Sequence, residues 1–384
     1  MICNKKGESM FNQVERYIKK LVKNKKIPYM DVIAYQDGRQ IFRWYGGDGR
    51  EEVTGKEKLF LYSATKPLTA VCALRLCEEG KLSLYDEVEK WLPAYKDVYL
   101  IDENGDKKAP KNKMLVLHLI TMSAGLTYDF KSYPIQETIK ENAGKEDTET
   151  IVGAFARKPL VFEPGAQFNY SLCHDVLAAV VEKASGKKFS EYMDEIIFQP
   201  LRMRNSSFLA SICGHANLYD CIEKGGIEKI EDVKYPTWMV FGKDYESGGA
   251  GVTSTVEDYI QFADALACGG EKNGYQLLKA ETIKQMYQEH LSSISVNNTF
   301  TCIQGDDYGY GLGVRTRIHP TVWGLPKGEF GWDGAAGSYV MVDPVNHISV
   351  FIGMHLDSWP RIFIGKHLEI VEKIYTNIVK SKNS

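Results

Sequence analysis

The spacing of apolar residues along the chain predicts strands near both ends and helices between them. Residues 10–25 (MFNQVERYIKKLVKNK) carry apolar side chains at helical spacing. The stretch DVIAYQDGRQIFRWYGG that follows has two β-rich runs on either side of Asp37-Gly38, which is typical of a hairpin. Between roughly residues 64 and 290 the patterns are mostly helical and are broken by loops.

Strand patterns return toward the end of the chain. They occur in YGLGVRTRI, GSYVMVDP and HISVFIGMHL, and a final helix is predicted over about 364–381. This order predicts an α+β fold, in which one antiparallel sheet is built from both termini and carries the terminal helices. We expect residues 1–62 and 300–384 to form this sheet lobe and residues 63–299 to form a mostly helical lobe. A small-molecule site is expected in the cleft between them.

The composition excludes several classes of function. Apolar residues make up 44% of the 384 residues and charged residues 25%, with a net charge of −3. No basic surface for nucleic acid or an anionic membrane is therefore predicted. No apolar run approaches the roughly 18 residues of a membrane span, and the first residues lack the apolar segment of a secretory signal. We expect a cytoplasmic protein, and no oligomeric state is predicted.

The eight cysteines and eight histidines are scattered along the chain. No C-x-x-C pair and no H-E-x-x-H spacing occurs, so we expect reduced cysteines, no metal and no cofactor. Cys173-His174-Asp175 and Cys213-Gly-His215 come nearest to a metal cluster. Short patterns of this kind arise by chance and carry no prediction here.

The stretch FLYSATKPLTA (residues 60–70) holds the first candidate for chemistry. Pro67 is tolerated in the first turn of a helix but not in its interior, and Gly80 is typical of the position after a helix end. A helix is therefore predicted over about 64–79, with Ser63 at its N-terminus. Its residues are apolar nearly all round, which predicts a buried helix.

Ser63 and Lys66 lie three residues apart and share one face of this helix. Burial and the positive end of a helix both favour a neutral lysine amine, which can act as a base. The N–H groups at the helix start can stabilise an oxyanion, so the pair fits an acyl-transfer nucleophile. It also fits an N-cap serine beside a first-turn lysine. A second S-x-x-K, Ser185 to Lys188, lies at a predicted helix end and needs no chemistry.

Further stretches place this motif in a wider pattern. Five segments occur in order: Ser63-Ala-Thr-Lys66, MLVLHLITMSAGL (114–126), EPGAQFNYSLCHDVLAAVVEKASG (163–186), SGGAGVTSTVEDYIQFADAL (247–266) and GEFGWDGAAGSYVMVDP (328–344). Together they resemble the serine β-lactamase-like hydrolases, in particular the branch of class C β-lactamases, D-alanyl carboxypeptidases and family VIII-type esterases. The resemblance covers about residues 30–360. It implies a β-lactamase/transpeptidase-like fold, with an antiparallel sheet flanked by helices and a mostly helical second lobe.

The resemblance also implies a role for each matching residue. Ser63 would be the nucleophile and Lys66 its base or proton relay. Tyr170 would be the second acid or base, which delivers a proton to the leaving group. The backbone N–H groups of Ser63 and Ala335 would bind the oxyanion. By itself, Tyr170 also fits an aromatic anchor before a helix.

Two positions depart from the β-lactamase pattern. Leu172 stands where the second motif, Tyr-x-Asn, has its asparagine, and Trp332-Asp333-Gly334 stands where β-lactamases have Lys-Thr-Gly. A tryptophan cannot bind a substrate carboxylate as that lysine does. The departures favour a small neutral or cationic ester or amide with an apolar part stacked on Trp332, although core packing of Trp332 stays open.

The candidate substrate contacts share a place in or beside these motifs: Tyr62, Leu172, Trp332, Asp333, Gly334 and Trp238. Asp333 would add negative charge if its side chain faces the cleft. The loop 234–249 is the predicted specificity element, because loops commonly carry recognition.

Several functions remain open beside an esterase or amidase. They are β-lactamase or D-alanyl carboxypeptidase activity, acyl transfer from the same acyl-enzyme, and non-catalytic binding or assembly on a dormant site. An α/β-hydrolase is rejected, because Ser123 and Ser247 each have only the second glycine of G-x-S-x-G and no strand–helix alternation occurs.

Overall fold

A seven-stranded antiparallel sheet forms the centre of the structure. The structure is a computed structural model and describes residues 11–142, 146–208, 215–222, 226–231, 241, 244–291, 295–296, 307–357 and 365–382. Helices pack on both faces of the sheet, so the predicted α+β class is confirmed.

The described residues form eleven α-helices: α1 Asn12–Lys25, α2 Lys66–Glu78, α3 Val88–Trp91, α4 Val116–Ile120, α5 Tyr133–Asn142, α6 Thr148–Ala156, α7 Cys173–Ser185, α8 Phe189–Met193, α9 Val256–Ala267, α10 Ala280–Met286 and α11 Lys366–Lys382. Three other helical turns accompany them: 3-10 turns at Tyr62–Thr65 and Pro93–Tyr95, and a π-helical turn at Asp194–Phe198.

The strands are, in chain order, β1 Met30–Gln36, β2 Arg39–Gly46, β3 Leu59–Phe60, β4 Leu100–Ile101, β5 Lys107–Lys108, β6 Gln167–Phe168, β7 Ser207–Phe208, β8 Tyr219–Ile222, β9 Gly226–Lys229, β10 Val252–Ser254, β11 Glu271–Lys272, β12 Tyr275–Gln276, β13 Ser295–Val296, β14 Tyr308–Tyr310, β15 Arg315–Arg317, β16 Phe330–Asp333, β17 Tyr339–Asp343, β18 Ile348–Met354 and β19 Leu356–Asp357.

Both ends of the chain build the central sheet, as predicted. Its strand order is β14-β15-β16-β17-β18-β1-β2, so the N-terminal hairpin joins the C-terminal strands through the pairing of β1 with β18. The hairpin turn is at Asp37-Gly38, where both residues have positive φ values of 50° and 76°. This conformation matches the turn that connects two twisted strands most directly.

The segment YGLGVRTRI forms a hairpin rather than one strand. β14 ends at Tyr310 and β15 begins at Arg315, and these two residues are paired. The Gly311 amide donates to Val314 O at 2.8 Å, and Gly313 has φ +78°. The strand prediction was therefore wrong at the turn, because glycine at a positive φ reverses the chain there.

The two faces of the sheet contact different helices. The outer face packs against α1 and α11, and its buried strand residues are Met30, Val32, Ala34, Phe42, Tyr339, Met341, Ile348, Val350, Ile352 and Met354. The inner face packs against α9 and the helical middle of the chain, and its buried strand residues include Ile33, Phe330, Trp332, Val340, Val342 and Phe351. The alternation along each strand follows from the two-residue side-chain period. The division into a sheet lobe and a helical lobe stays a prediction.

Five cysteines lie in the described part of the chain, and all are free thiols: Cys72, Cys77, Cys173, Cys221 and Cys268. Cys3, Cys213 and Cys302 lie outside the described residues. Among the helices that the structure describes, none combines the length and the apolar character needed to cross a bilayer.

The contact between the sheet and α9 yields a test of the fold. Phe351 is fully buried and its ring stacks on Tyr259 with the centroids 4.3 Å apart. We expect Phe351→Ala to lower the free energy of unfolding by about 3–5 kcal/mol, because it removes buried apolar surface and leaves a cavity. Denaturant titration measures this change. The control is Val322→Ala at a fully exposed position, with an expected change within about 0.5 kcal/mol; equal effects would contradict the inner-face packing.

Candidate active site

The segment before α2 places Ser63 at the start of a buried helix. The Leu61 amide donates to Val252 O at 3.0 Å, and Tyr62 then adopts a positive φ of 48° before the 3-10 turn. A non-glycine residue in this conformation costs about 1–3 kcal/mol and is often found at functional sites. Ser63 is half-buried, and the α-helix itself begins at Lys66.

The helix therefore starts slightly later than predicted. The expected start at Ala64 was wrong by two residues, because Tyr62–Thr65 closes a tighter 3-10 turn first. Pro67 lies in the first turn of α2, where its missing N–H has no intrahelical partner to lose. The predicted burial of this helix is confirmed, since ten of its residues from Lys66 to Leu76 are buried.

The amine of Lys66 is fully buried and has three hydrogen-bond partners. Its Nζ lies 3.1 Å from Ser63 Oγ, 3.1 Å from Tyr128 Oη and 2.9 Å from Gly249 O. The predicted pair of Ser63 and Lys66 is thus in direct contact.

Tyr170 approaches the same serine from the other side. Its Oη lies 2.6 Å from Ser63 Oγ, and Lys66 Nζ lies 4.6 Å from the centroid of its ring. Trp332 Nε1 donates to Tyr170 Oη at 3.3 Å, and the two rings are 5.4 Å apart. Ser63, Tyr170 and Trp332, from three distant parts of the chain, therefore meet at the Tyr170 hydroxyl.

Tyr128 is a site residue that the sequence reasoning missed. It lies two residues after the MLVLHLITMSAGL segment and is in contact with both Lys66 and the Tyr170 ring, whose centroid is 5.3 Å away. Burial, and next the nearby Tyr170, raise the pKa of Tyr128 well above its usual value, so it is a neutral phenol. The sequence hinted at this residue only through its position two residues after the segment MLVLHLITMSAGL.

The turn after β16, which carries Ala335, packs against Leu61, two residues before Ser63. Gly334 N donates to Ser338 O at 2.8 Å, and Ser338 Oγ donates to Leu61 O at 3.0 Å. A Cβ on Gly334 would lie 2.2 Å from Leu61 O, so only glycine permits this approach.

Trp332 and Leu172 are both buried. Trp332 is 5% exposed on the inner face of the sheet, where its ring also contacts Tyr310. Leu172 is 4% exposed in the main core, directly before α7, and lines a small cavity with residues such as Thr127 and Phe155. Substrate contact by either residue stays a prediction.

Asp333 lies on the opposite side of β16 from Trp332. Its Oδ1 is 3.4 Å from Arg315 Nη1, and Arg315 also pairs with the buried Glu329. Arg315 lies over the ring of the outer-face residue Tyr339, at 4.4 Å. The idea that Asp333 adds negative charge to the cleft therefore gains no support, because successive side chains of a strand point to opposite faces.

Of the two remaining predicted substrate contacts, Tyr62 lies in the described part of the chain and Trp238 does not. Tyr62 is 2% exposed and packs in a small cluster with Phe60 and Ala336. Trp238 lies outside the described residues, as does most of the first half of the loop 234–249. A cavity of about 730 Å³ near α3 and the β4–β5 hairpin is lined by none of the predicted site residues.

The Cys173-His174-Asp175 stretch is not a metal centre. In the described part of the chain, no three histidine, cysteine, aspartate or glutamate side chains are placed so that they could hold a metal ion. Burial, followed by the charge of Lys66, lowers the pKa of His174 to about 3, so the ring is neutral. Asp175 accepts hydrogen bonds from Tyr245 and Ser247 instead.

The second S-x-x-K has no catalytic contacts. Ser185 Oγ donates to Glu182 O at 3.3 Å at the end of α7, and Gly186 follows with φ +71° as a helix C-cap. Lys188 lies 3.9 Å from Asp244. This copy is a helix end, as predicted.

Comparisons with known proteins show which family the chain belongs to. A family model described as Beta-lactamase matches residues 14–370. Esterase EstB of Burkholderia gladioli is 26% identical over 314 residues, which cover 76% of each chain. An uncharacterized protein of Mycobacterium tuberculosis (strain CDC 1551 / Oshkosh) is 28% identical over 304 residues, 75% of each chain.

A solved structure is similar over nearly the whole length. EstCE1, a hydrolase with promiscuous acyltransferase activity, superimposes with a TM-score of 0.78 at 25% identity, over 96% of this chain and 98% of its own. The resemblance that the motifs suggested is therefore confirmed, and the chain belongs to the Beta-lactamase family.

Proposed function

We propose that the protein is a serine hydrolase that forms an acyl-enzyme on Ser63 and acts on a small neutral or cationic ester or amide. The observation that carries this proposal is the position of Ser63 Oγ, 3.1 Å from Lys66 Nζ and 2.6 Å from Tyr170 Oη. A serine hydroxyl between two groups that can each move a proton is arranged for nucleophilic attack.

The contacts of Lys66 suit a neutral amine acting as the base. Gly249 O can only accept, so one N–H points there, and a second N–H is directed at Tyr128 Oη. The lone pair then faces the Ser63 hydroxyl. When Ser63 Oγ attacks the substrate carbonyl carbon, its proton passes to Lys66 and the carbonyl oxygen becomes an oxyanion.

Tyr170 completes the acylation in this mechanism. Its hydroxyl gives a proton to the leaving alcohol or amine as the carbon–oxygen or carbon–nitrogen bond breaks. The proton held on Lys66 then restores the Tyr170 hydroxyl. Water attack on acyl-Ser63 runs the same path in reverse: the water proton is taken up by the pair, Ser63 regains its hydrogen, and the acid departs.

The amides of Ser63 and Ala335 are proposed as the oxyanion donors. Ser338 Oγ, in the turn that carries Ala335, donates a hydrogen bond to the carbonyl of Leu61. Leu61 lies two residues before Ser63. Donors that are fixed before the reaction need no reorganisation when the charge develops, which is the main source of their effect.

The charges near the site favour a substrate without a carboxylate. Lys66 is fully buried and its hydrogen-bonding directions are used. In the described part of the chain no other cationic side chain is bonded to Ser63 or Tyr170. Trp332 stands where the lysine of the third motif would bind a carboxylate, and Arg315 pairs with Asp333 on the far side of β16.

Acyl transfer to an alcohol or amine is the second candidate, because it uses the same acyl-enzyme. The similarity to EstCE1, whose description names promiscuous acyltransferase activity, favours testing it. β-Lactamase and D-alanyl carboxypeptidase activities are disfavoured because Trp332 replaces the lysine of the third motif. A purely binding role is disfavoured because Lys66 Nζ and Tyr170 Oη are both within hydrogen-bond distance of Ser63 Oγ.

The first prediction concerns the nucleophile. A pulse of a fluorophosphonate or of p-nitrophenyl acetate should leave one adduct on the wild-type protein and none on Ser63→Ala, as measured by intact mass. Ser185→Ala is the matched control, since it removes the serine of the other S-x-x-K and should label like the wild type. Equal labelling of Ser63→Ala and the wild type would exclude the proposal.

The second prediction concerns the substrate. Short-chain p-nitrophenyl esters should be turned over, whereas nitrocefin, a carboxylate-bearing lactam, should react weakly or not at all. The reason is that, among the residues that the structure describes, no cation other than Lys66 is bonded to Ser63 or Tyr170, where it could bind the carboxylate. Initial rates on a matched panel measure this preference, and efficient nitrocefin hydrolysis would reverse our interpretation of Trp332.

The third prediction concerns the oxyanion donors. Gly334→Ala should lower kcat by on the order of 100-fold, because the added methyl group displaces the Ala335 turn from Leu61 and misplaces a donor. Gly153→Ala in α6 is the control, since its Cβ would meet only Ala94 at 3.7 Å. Ester kinetics measure the effect; unchanged kcat in Gly334→Ala would argue against this oxyanion site.

A further inference from the structure

A buried carboxylate lies behind the proposed catalytic lysine. Asp175 is 1% exposed in the first turn of α7, where the helix N-terminus favours negative charge. Its Oδ1 accepts from Tyr245 Oη at 2.5 Å and from Ser247 Oγ at 2.6 Å. An oxygen that accepts two hydroxyl donors is best satisfied as an ionised carboxylate.

Gly249 separates this carboxylate from Lys66. A Cβ built on Gly249 would lie 2.7 Å from Asp175 Oδ2 and 3.4 Å from Lys66 Nζ. Lys66 Nζ and Asp175 Oδ2 are therefore no further apart than the sum of these distances, about 6 Å. Gly249 O also accepts from Lys66 Nζ. The absence of a side chain at Gly249 is what allows lysine and aspartate to approach this closely.

Among the described residues around Lys66, one acid, Asp175, is of a type that is ordinarily ionised. The titratable groups that face Lys66 or Asp175 in the described part of the chain are Tyr95 from the turn after α3, Tyr128 after α4, Tyr170 before α7, Cys173, His174 and Asp175 in α7, and Tyr245 before β10. Burial raises the pKa of Cys173 to about 11 and lowers that of His174 to about 3, so both are neutral.

We propose that Asp175 is a positioning residue that stabilises the proton taken up by Lys66 when Ser63 attacks. The inference rests on the proposed acyl-enzyme function. A fully buried ammonium without a counter-charge is costly, and an opposite charge within about 6 Å favours the protonated form. Asp175 acts through Lys66, much as the aspartate of a Ser-His-Asp triad stabilises the imidazolium.

The hydroxyl donors keep Asp175 charged for this task. Burial raises the pKa of Asp175, and the Ser247 and Tyr245 hydroxyls and then Lys66 oppose that rise. Tyr245 is itself a neutral donor, since burial raises its pKa well above the usual value. Serine, tyrosine and aspartate thus form a second layer behind Gly249.

The test is the pH profile of kcat/KM for p-nitrophenyl acetate. In Asp175→Asn the catalytic cluster loses a negative charge and releases its proton more easily, so the acid limb should move to lower pH by about one unit or more. The rate on the plateau should fall at least about tenfold, because the ammonium formed during attack is no longer stabilised. A merely structural role would lower stability and leave the limb in place.

Two further variants keep the carboxyl group of Asp175 and should shift the acid limb in the opposite direction. Tyr245→Phe and Ser247→Ala each remove one donor to Asp175, so the carboxyl takes up a proton more readily and the acid limb should move to higher pH. This opposite sign keeps the proposal testable if Asp175→Asn does not fold. If the acid limb of every folded variant coincides with that of the wild type, the role proposed for Asp175 is wrong.

The experiments distinguish a failure of the Asp175 proposal from a failure of the proposed acyl-enzyme function. A wild-type protein that forms no Ser63 adduct with a fluorophosphonate would remove the function and this inference together. A wild type that labels on Ser63, with unshifted limbs in the variants, would remove only the role of Asp175.

Discussion

The site depends on one fully buried amine that has hydrogen-bond partners in three directions. Lys66 Nζ is bonded to Ser63 in the turn before α2, to Tyr128 after α4 and to Gly249 before β10. An unpartnered polar group at this depth would cost about 2–7 kcal/mol, so the three segments must meet with correct spacing. The requirement couples the packing of the helical region to the geometry of the serine.

The same requirement explains which parts were predictable from the sequence. Ser63 and Lys66 are close in sequence and on one face of a helix, so spacing alone pairs them. Strands such as β17 and β18 were predictable because both faces of the sheet are covered, so that their sequences are nearly continuous apolar runs. Tyr128 and Gly249 are 62 and 183 residues from Lys66, and no local period reports such contacts.

For the two sides of β16, the sequence predicts which face each side chain occupies but not which residue it contacts. Trp332 and Asp333 are adjacent, so alternation alone sends their side chains to opposite faces. The contact of Trp332 with Tyr170 and the pairing of Asp333 with Arg315 follow this rule. The partner itself, a buried arginine on β15, could not be inferred from a single sequence, because it depends on strand register. The result is a cleft side that is aromatic and an outer side that holds the charges.

The conformation of Tyr62 links this sheet to the nucleophile. Its positive φ is unfavourable for a tyrosine and persists only where the neighbouring residues are held on both sides. Leu61, before it, is bonded through its N–H to Val252 and through its carbonyl to Ser338, which lies 277 residues later in the chain. Ala64, after it, is bonded back to Leu61 and accepts from Tyr259 of α9. Strand β10, helix α9 and the turn between β16 and β17 therefore fix the turn in which the serine lies. Because the β16–β17 turn belongs to the central sheet, that sheet contributes directly to the catalytic geometry.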